Sequence, residues 1–255
     1  MSAEEIVITF EGGVRFIRIN RPKTKNAFNS NVYDKITETL NSDGNDDDVV
    51  ATIITGTGDY YSSGFDIKSA VSEMNMDDDQ SRTNKLRDMI CAFISYPKLL
   101  IALVNGPAIG IAVTTAALCD IIYASDRATF ETPFVRIGVC AEGCSSYTFP
   151  RVLGRSKASE MLLLGKKLTA QEAYQFGFIA EVIPHEKLEG FTNELKKLGR
   201  LPVNTIKINK KLILQNYKDI LCECCDRELN QLTECFLSEE FSNAILNFMT
   251  TKSKL

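Results

Sequence analysis

Alternation of apolar and polar residues near the start of the chain predicts a β-hairpin. Two β-branched runs, 5–10 and 14–19, flank the tripeptide EGG, and a Gly-Gly pair favours a tight turn between antiparallel strands. The polar stretch RPKTKNAFNS then ends the second strand. A helical period follows from about Ser30 to Leu40, and the acidic run NSDGNDDD behind it is typical of a solvated loop.

The middle of the chain contains apolar runs that are followed by glycine or other small residues. VVATIITGTG predicts a buried strand, and a helical segment is predicted at about 81–95. The uncharged stretch 99–119 has 21 residues and must be tested as a membrane span. Because Asn, Gly and Pro interrupt it, a strand at 99–104, a turn at 105–110 and a buried helix at 111–118 explain it better.

The second half of the chain is mostly helical in pattern. DIIYASDRATFETP predicts a pair of strands, and one further strand is predicted at AEVIP. Strands that alternate with helices, followed by a helical C-terminal part, are typical of the α/β class. We predict a core over residues 1–200 and a C-terminal helical region over 201–255.

Composition and charge narrow the possible partners. The formal charge is −4, so the chain has no general attraction to nucleic acid or to an anionic membrane surface. The eight cysteines show no disulfide-framework spacing, and the N-terminus lacks the basic and apolar regions of a secretory signal. We therefore expect free thiols in a reducing compartment, with neither nucleic acid nor a membrane as partner.

The last three residues match a targeting signal. Ser253, Lys254 and Leu255 form the C-terminal tripeptide S-K-L, which is the peroxisomal import address. An import receptor reads this address, so we expect that receptor as a partner and the peroxisomal matrix as the location.

The scarcity of histidine limits the possible chemistry. His185 is the only one, and it lies in a predicted surface turn, so a catalytic triad or a histidine-rich metal site would depend on this residue alone. Cys140 and Cys144 have no histidine near them in sequence, so neither an activated thiolate nor a zinc site is indicated. CECC at 222–225 lies in a helical pattern without a complementary ligand cluster, so we expect packed thiols and no metal.

Two stretches share the order buried strand, small-residue loop and helix start. They are IITGTGDYYSSGFDI and IALVNGPAIGIAVTTA. Small residues allow a ligand to approach the backbone, and N–H groups at a helix start lack intrahelical partners, so two such loops can form an oxyanion hole. No nucleotide-binding fingerprint is present. Such turns are also common in ordinary packing, and the loops alone leave both interpretations open.

The stretch VCAEGCSSYTF contains one carboxylate, Glu142, among residues suited to burial. Burial of an ionised carboxylate without a partner costs free energy, and a dry pocket raises its pKa and makes it a stronger base. The same residues also fit an ordinary carboxylate at a helix start. The residues by themselves leave open whether Glu142 is catalytic.

Several motifs resemble the enoyl-CoA hydratase/isomerase (crotonase) superfamily, over nearly the whole chain. They are NRPKTKNAFN, SSGFDI, NGPAIG and LCDIIYASDRATF. Within this superfamily, ASDRATFETPF, EGCSSYTFP, GKKLTAQEA and the S-K-L ending are most similar to the peroxisomal Δ3,Δ2-enoyl-CoA isomerases. The resemblance implies an α/β crotonase fold, a spiral of ββα units with a C-terminal helical trimerisation region. We also expect no room for the N-terminal acyl-CoA-binding domain of some animal isomerases.

The resemblance assigns roles to individual residues. It implies that the backbone N–H groups of Ser63 and Ile111 form an oxyanion hole and that Glu142 is the catalytic base and acid. The two glutamates of the hydratases correspond here to Thr114 and Phe134, which argues against addition of water. The implied substrate-binding residues are Ser62, Ser63, Gly64, Phe65, Asp66 and Lys25.

The implied activity converts a 3-enoyl-CoA to a trans-2-enoyl-CoA in peroxisomal β-oxidation of unsaturated fatty acids. One carboxylate can remove a proton at carbon 2 and return it at carbon 4. Lys25 would lie near the CoA phosphates, and Asp66 would shape the loop or an adenine pocket. No metal or cofactor is implied beyond the CoA of the substrate, and a homotrimer or a dimer of trimers is expected. The alternatives are an inert acyl-CoA-binding or scaffold domain, a hydratase or a dienoyl-CoA isomerase.

Overall fold

The computed structural model describes residues 4–67, 69 and 79–252, so the predicted import signal at 253–255 lies outside the described residues. The strands are β1 Ile6–Glu11, β2 Val14–Ile19, β3 Ala51–Gly56, β4 Leu99–Val104, β5 Ala108–Ile109, β6 Ile121–Ser125, β7 Thr129–Glu131, β8 Leu168–Thr169 and β9 Glu181–Ile183. The helices are α1 Ser30–Asn45, α2 Asp79–Ser95, α3 Ile111–Ala116, α4 Ser145–Leu153, α5 Arg155–Leu164, α6 Ala170–Gln175, α7 Leu188–Leu195, α8 Val203–Leu214, α9 Lys218–Phe236 and α10 Glu239–Lys252.

The strands of the described residues form two sheets. The larger sheet has the order β1-β2-β3-β4-β6-β9, and the smaller has the order β5-β7-β8. Only the β1–β2 pair of the larger sheet is antiparallel, and it forms the predicted N-terminal hairpin. Every residue of β3 is buried, because a central parallel strand is covered on both faces.

Helix α1 is longer than predicted. It begins after Asn29, whose side chain accepts a hydrogen bond from the Val32 N–H at 3.0 Å, and it continues through the acidic run to Asn45. The prediction of a solvated loop after Leu40 is therefore wrong for the first part of that run. Asp43 is buried there against Arg15, 3.0 Å away, and this ion pair keeps an acidic residue inside the helix.

The predicted strand pair at 120–133 does not form as one pair. Strand β6 lies between β4 and β9 in the larger sheet, whereas β7 lies between β5 and β8 in the smaller one. A turn in which the Ala128 N–H donates to the Ser125 carbonyl at 2.9 Å separates the two strands and sends them to different sheets.

The apolar stretch 99–119 forms the predicted strand and buried helix, but the predicted turn also contains the short strand β5, and helix α3 ends at Ala116, two residues before its predicted end. All residues of α3 are buried, which explains its lack of polar periodicity. No helix within the described residues is both long and apolar enough to cross a membrane.

The C-terminal helices pack onto the core of the same chain. Buried apolar residues of α9, including Leu221, Leu229 and Leu232, form a cluster with Ile90 and Ile94 of α2. The start of α10 packs against the short 3-10 turn Phe134–Ile137. These helices therefore close one side of the cavity described below. The boundary at residue 200 between core and helical region stays a prediction.

Candidate active site

A cavity of about 1250 Å³ opens between the two glycine loops and the C-terminal helices. Its lining residues come from the segments 23–33, 60–69, 83–86, 109–111, 131–142 and 232–247. Most of this lining is apolar, with a few polar groups, which is typical of a pocket for a small organic ligand. Its volume exceeds that of an ordinary small-molecule pocket, so it has room for a long flexible ligand.

Buried Asn26 fixes the first glycine loop. Its side-chain amide donates to the carbonyls of Thr57 and Tyr60 at 2.9 and 2.7 Å, and its Oδ1 accepts from the Arg21 N–H at 2.9 Å. Because every polar atom of this side chain has a partner, burial of the amide is compatible with stability. Asn26 was not singled out in the sequence, since these partners lie in a loop that is distant along the chain.

The two glycine loops are bonded directly to each other. The Ile109 N–H donates to the Ser62 carbonyl at 3.0 Å, and the Ser62 hydroxyl accepts from the Gly64 N–H at 3.0 Å. Gly64 has a φ of +82°, and a Cβ added there would lie 2.5 Å from the Ile109 carbonyl oxygen. Only glycine allows the loops to approach this closely.

The structure contradicts the predicted oxyanion role of Ser63. The Ser63 N–H donates to the Lys25 carbonyl at 2.9 Å, and the hydroxyl donates to the Thr24 carbonyl at 3.2 Å. A bonded N–H cannot also receive an oxyanion, so this prediction is wrong. Two residues on, the Phe65 N–H has no acceptor among the described residues, and Phe65 lines the cavity. Phe65 is therefore the donor that this loop offers.

Ile111 keeps its predicted role as a candidate donor. It is the first residue of α3, and its N–H has no acceptor among the described residues, as expected at a helix start. The next bonded amides, those of Val113 and Thr114, donate to the Gly110 carbonyl. Ile111 and Phe65 thus present unpaired N–H groups from two adjoining loops that line one cavity.

Glu142 is a buried carboxylate at this cavity, and its side chain has two different oxygens. The residue is only 5% exposed. Its Oε1 accepts a hydrogen bond from the Thr114 hydroxyl at 3.0 Å, whereas its Oε2 is buried with no hydrogen-bond partner among the residues that the structure describes. Burial, and then the charge of Glu228, raise the pKa of Glu142 to about 8. Such a carboxylate is a strong base with one free oxygen.

The two positions at which hydratases have glutamates contain no carboxylate. Thr114 is fully buried and is the hydrogen-bond donor that orients Glu142. The ring of Phe134 lines the cavity, about 3.9 Å from where a Cβ of Gly110 would lie. The positions Thr114 and Phe134 therefore supply an orienting hydroxyl and an apolar wall. The orienting role of Thr114 could not be inferred from the sequence.

Family comparison agrees with this arrangement. Residues 9–254 match the enoyl-CoA hydratase/isomerase family. The chain belongs to this family. Rat enoyl-CoA delta isomerase 2 is 46% identical over 253 residues, which are 98% of this chain and 64% of the rat protein. This chain thus spans less than two thirds of that relative's length.

Two further proteins are similar to this chain over most of their own length. Mouse enoyl-CoA delta isomerase 3, peroxisomal, is 42% identical over 255 residues, or 99% of this chain and 80% of the mouse protein. The structure of an enoyl-CoA hydratase/isomerase from Pseudoalteromonas atlantica T6c superposes with a TM-score of 0.90 at 27% identity, covering 97% and 98% of the two chains. The predicted crotonase α/β fold is confirmed.

Of the other predicted binding residues, Lys25, Gly64 and Asp66 line the same cavity, whereas Ser62 is buried and is not part of its lining. Lys25 is exposed and lines it, with its ammonium 4.9 Å from the centre of the Tyr60 ring. Asp66 forms an ion pair with Arg21 at 2.9 Å and accepts from the Ser69 N–H at 3.1 Å. These two contacts hold the pKa of Asp66 below its usual value despite burial. Asp66 therefore shapes the loop, as expected.

His185 and the serines of VCAEGCSSYTF take no part in a triad. His185 lies in a turn beside β9, with its ring Nδ1 3.2 Å from the Ser125 hydroxyl, and it does not line the cavity. Ser145 donates its hydroxyl to the Glu142 carbonyl at 2.7 Å, and the Ser146 hydroxyl lies 3.3 Å from the Cys224 sulfur. Neither serine contacts a histidine.

The cysteines differ from the prediction in one respect. All eight are free, as expected. The expectation that CECC has no complementary ligands is wrong, because Cys144, Cys224 and Glu228 place one ligand atom each within 4.8 Å of one another. The Cys144 thiol donates to the Leu221 carbonyl at 3.3 Å, and contact with neighbouring thiols together with burial raises its pKa. These contacts are those of packed thiols, and the absence of a metal stays a prediction.

Proposed function

We propose that the chain is a Δ3,Δ2-enoyl-CoA isomerase that converts a 3-enoyl-CoA to a trans-2-enoyl-CoA. The observation that carries this proposal is Glu142, a buried carboxylate whose Oε2 has no partner beside a large apolar cavity. The names of the rat and mouse relatives support the same reaction.

The proposed mechanism requires one base and two hydrogen-bond donors. Glu142 Oε2 removes a proton from carbon 2, and the electron pair moves toward the thioester oxygen to form an enolate. The N–H groups of Phe65 and Ile111 bind the enolate oxygen, where they stabilise charge that develops only during the reaction. The protonated Glu142 then returns the proton to carbon 4, and the double bond is left between carbons 2 and 3.

The surroundings of Glu142 favour isomerisation over hydration. Hydration requires a water molecule to be held and activated, for which hydratases use two carboxylates. Here the partner of Glu142 is the neutral Thr114 hydroxyl, and Phe134 makes the opposite wall apolar. A site of this kind retains the abstracted proton on Glu142 until it is returned to the substrate.

The substrate is bound by its CoA and acyl parts. Lys25 at the cavity attracts the CoA phosphates, with a contribution that decreases with salt because the side chain is exposed. The apolar lining, which includes Leu232 and Phe236 of α9, receives the acyl chain. Proton transfer requires no metal and no cofactor beyond the CoA of the substrate.

We also propose a peroxisomal role in the β-oxidation of unsaturated fatty acids. The S-K-L tripeptide at 253–255 supports this location, as does the name of the mouse relative. Removal of the three residues is expected to leave a fluorescent fusion of this chain outside peroxisomes, while the full chain co-localises with a matrix marker. Co-localisation of the truncated fusion would contradict the role of the tripeptide.

A single substitution tests the proposed reaction. Glu142→Gln removes the base and keeps the size of the side chain, so kcat with a 3-enoyl-CoA is expected to fall by about three orders of magnitude or more. Ser63→Ala is the control, since it keeps the backbone N–H and removes only a hydroxyl that donates to the Thr24 carbonyl, so the variant is expected to stay within about threefold of wild type.

Three outcomes would decide against the proposal in different ways. Near-wild-type turnover in Glu142→Gln would exclude Glu142 as the base. Tight acyl-CoA binding by the wild-type chain without any turnover would indicate the non-catalytic alternative. Formation of a 3-hydroxyacyl-CoA from a trans-2-enoyl-CoA at a comparable rate would indicate a hydratase.

A further inference from the structure

A second buried carboxylate lies behind the catalytic loop. Glu228 of α9 is only 7% exposed. Its Oε2 accepts a hydrogen bond from the Cys144 N–H at 2.6 Å, and its Oε1 accepts from the Ser146 N–H at 2.9 Å. Both oxygens therefore bind the backbone that follows Glu142, and no lysine or arginine is among the described groups that shift the pKa of Glu228.

The bound backbone has an uncommon conformation. Gly143 and Cys144 both have positive φ values, 62° and 61°. Cys144, in the left-handed region, is followed by Ser145, the first residue of the right-handed helix α4. Such a pair of opposite hand turns neighbouring N–H groups to one side and forms an anion-binding nest. Cys144 also adopts the left-handed region without being glycine, a conformation that persists only where the surroundings stabilise it. The Glu228 carboxylate occupies the nest and supplies that stabilisation.

The nest determines where Glu142 lies. Ser145 donates both its N–H and its hydroxyl to the Glu142 carbonyl, at 3.1 and 2.7 Å. Gly143 lies directly against Thr114, since an added Cβ would be 2.3 Å from the threonine hydroxyl. The loop 142–146 and the Thr114 hydroxyl are thus connected by hydrogen bonds and by the tight contact at Gly143, and together they surround Glu142.

We propose that Glu228 is a positioning residue of the isomerase site, whose carboxylate holds the loop 142–146 so that Glu142 meets both Thr114 and the substrate. This inference rests on the proposed function. Glu228 does not line the cavity, so it acts through Glu142 and not on the substrate. A carboxylate at the first turn of α4 also interacts favourably with the helix dipole.

The negative charge of Glu228 gives it a second effect. Burial raises the pKa of Glu228 to about 7, so it is mostly ionised where Glu142 titrates, near 8. Its charge is the largest contribution after burial to the raised pKa of Glu142. The other groups that act on Glu142 are Cys225 of α9 and the neutral Thr114 of α3, and Tyr33 of α1 is in turn affected by Glu142.

The groups around Glu228 itself are cysteine thiols and backbone amides, and contact with Cys144 lowers the pKa of the nearest thiol, that of Cys224. Cys224 lies one turn earlier on α9, with its sulfur 3.5 Å from Glu228 Oε1. The Cys144 thiol lies within 4.8 Å of the carboxylate, the charge of Glu228 helps to raise the pKa of Cys140 after burial and Cys235, and the amide groups of Cys144 and Ser146 donate to its oxygens. Replacing Glu228 by glutamine removes the charge in this environment and leaves one acceptor oxygen for the nest.

The experiment compares Glu228→Gln and Glu228→Ala with Glu223→Gln, an exposed control on the same helix. Rates with a 3-enoyl-CoA are measured from pH 5.5 to 9.5. Glu228→Gln is expected to move the midpoint of the kcat/KM profile to lower pH and to lower kcat about tenfold, with KM within about threefold. Glu228→Ala is expected to lower kcat further, and Glu223→Gln is expected to match wild type.

The result that overturns the inference is a Glu228→Gln variant with wild-type kcat and an unshifted midpoint. The midpoint is the decisive readout, because a purely structural role changes the amount of active protein and not its pH dependence. If Glu228→Ala does not fold, the nearly isosteric Glu228→Gln still gives the answer. If Glu142→Gln remains active, the proposed function itself fails. If Glu142→Gln is inactive but the Glu228 variants keep the wild-type kcat and midpoint, only the positioning role of Glu228 is refuted.

Discussion

At the scale of single residues, the properties of Glu142 result from opposing contacts. Burial and the Glu228 charge raise its pKa to about 8, whereas the Thr114 hydroxyl lowers it. A base must be ionised to act, so kcat/KM is expected to increase with pH through this value. Thr114 enlarges the ionised fraction near neutral pH and holds Oε1, which leaves Oε2 free for the substrate.

Thr114→Val tests this role, because valine has the same shape without the hydroxyl. Loss of a hydrogen bond to a charged group costs about 1.5–3 kcal/mol, so the midpoint of the kcat/KM profile is expected to rise by about one to two pH units. At neutral pH the variant is therefore slower than wild type. The measurement is the pH dependence of 3-enoyl-CoA isomerisation.

Thr115→Val is the matched control for that change. Thr115 is equally buried on α3, but its hydroxyl donates to the Ile111 carbonyl at 2.6 Å and not to Glu142. The midpoint of the kcat/KM profile of Thr115→Val is expected to equal that of wild type. If both variants gave the same profile, the hydrogen bond from Thr114 would have no part in setting the pKa of Glu142.

At the scale of elements, the site consists of loops that rigid helices and strands hold in contact. The nest at 143–146 lies between α3, which carries Thr114, and α9, which carries Glu228. Glycine at 143 is required for two reasons, its positive φ and the 2.3 Å distance from an added Cβ to the Thr114 hydroxyl. The loop therefore depends on both neighbouring helices.

Gly143→Ala separates these two reasons when it is compared with Gly177→Ala. Gly177 has a φ of +73° but no atom within 4 Å of an added Cβ, so its variant has only the backbone cost, about 1–2 kcal/mol. Gly143→Ala also displaces Thr114, and its kcat is expected to fall at least tenfold.

Urea unfolding and initial rates check this pair of variants. Both are expected to lose stability, whereas only Gly143→Ala is expected to lose activity in its folded form. Equal activity of the two folded variants would show that the tight contact between Gly143 and Thr114 is unimportant for catalysis.

At the scale of the whole molecule, the chain leaves an apolar helix face uncovered. Ile208, Leu212 and Ile213 of α8 are 56–64% exposed. Large contiguous apolar patches are uncommon on the surface of monomeric soluble proteins. This face supports the predicted homo-oligomer, a trimer or a dimer of trimers, as a proposal. Burying it against another copy would remove apolar surface from water.

Ile208→Asp combined with Leu212→Asp is expected to dissociate the oligomer, since each carboxylate would be buried without a partner. Sedimentation velocity at micromolar concentration measures the change. Leu237→Asp, an 80% exposed control at the end of α9, is expected to leave the mass unchanged. A wild-type chain that sediments as a monomer would refute the proposed assembly.

Much of this protein could be predicted from its sequence, because periodicity is a local property. The hairpin, the strands at 51–56 and 99–104 and the buried helix α3 each follow from the alternation of residues that are close along the chain. The local motif around Glu142 left its role open, and the resemblance of the chain to a family made it the candidate base.

Tertiary structure alone decided which polar groups meet. Sequence could not show that the Ser63 N–H is bonded to Lys25 while that of Phe65 is unpaired, since the partner comes from another loop. Nor could it show that Glu228 accepts hydrogen bonds from the loop after Glu142, because helix α9 first has to pack against that loop. A hydrogen bond is set by the distance between atoms in space, and packing fixes that distance where local pattern does not.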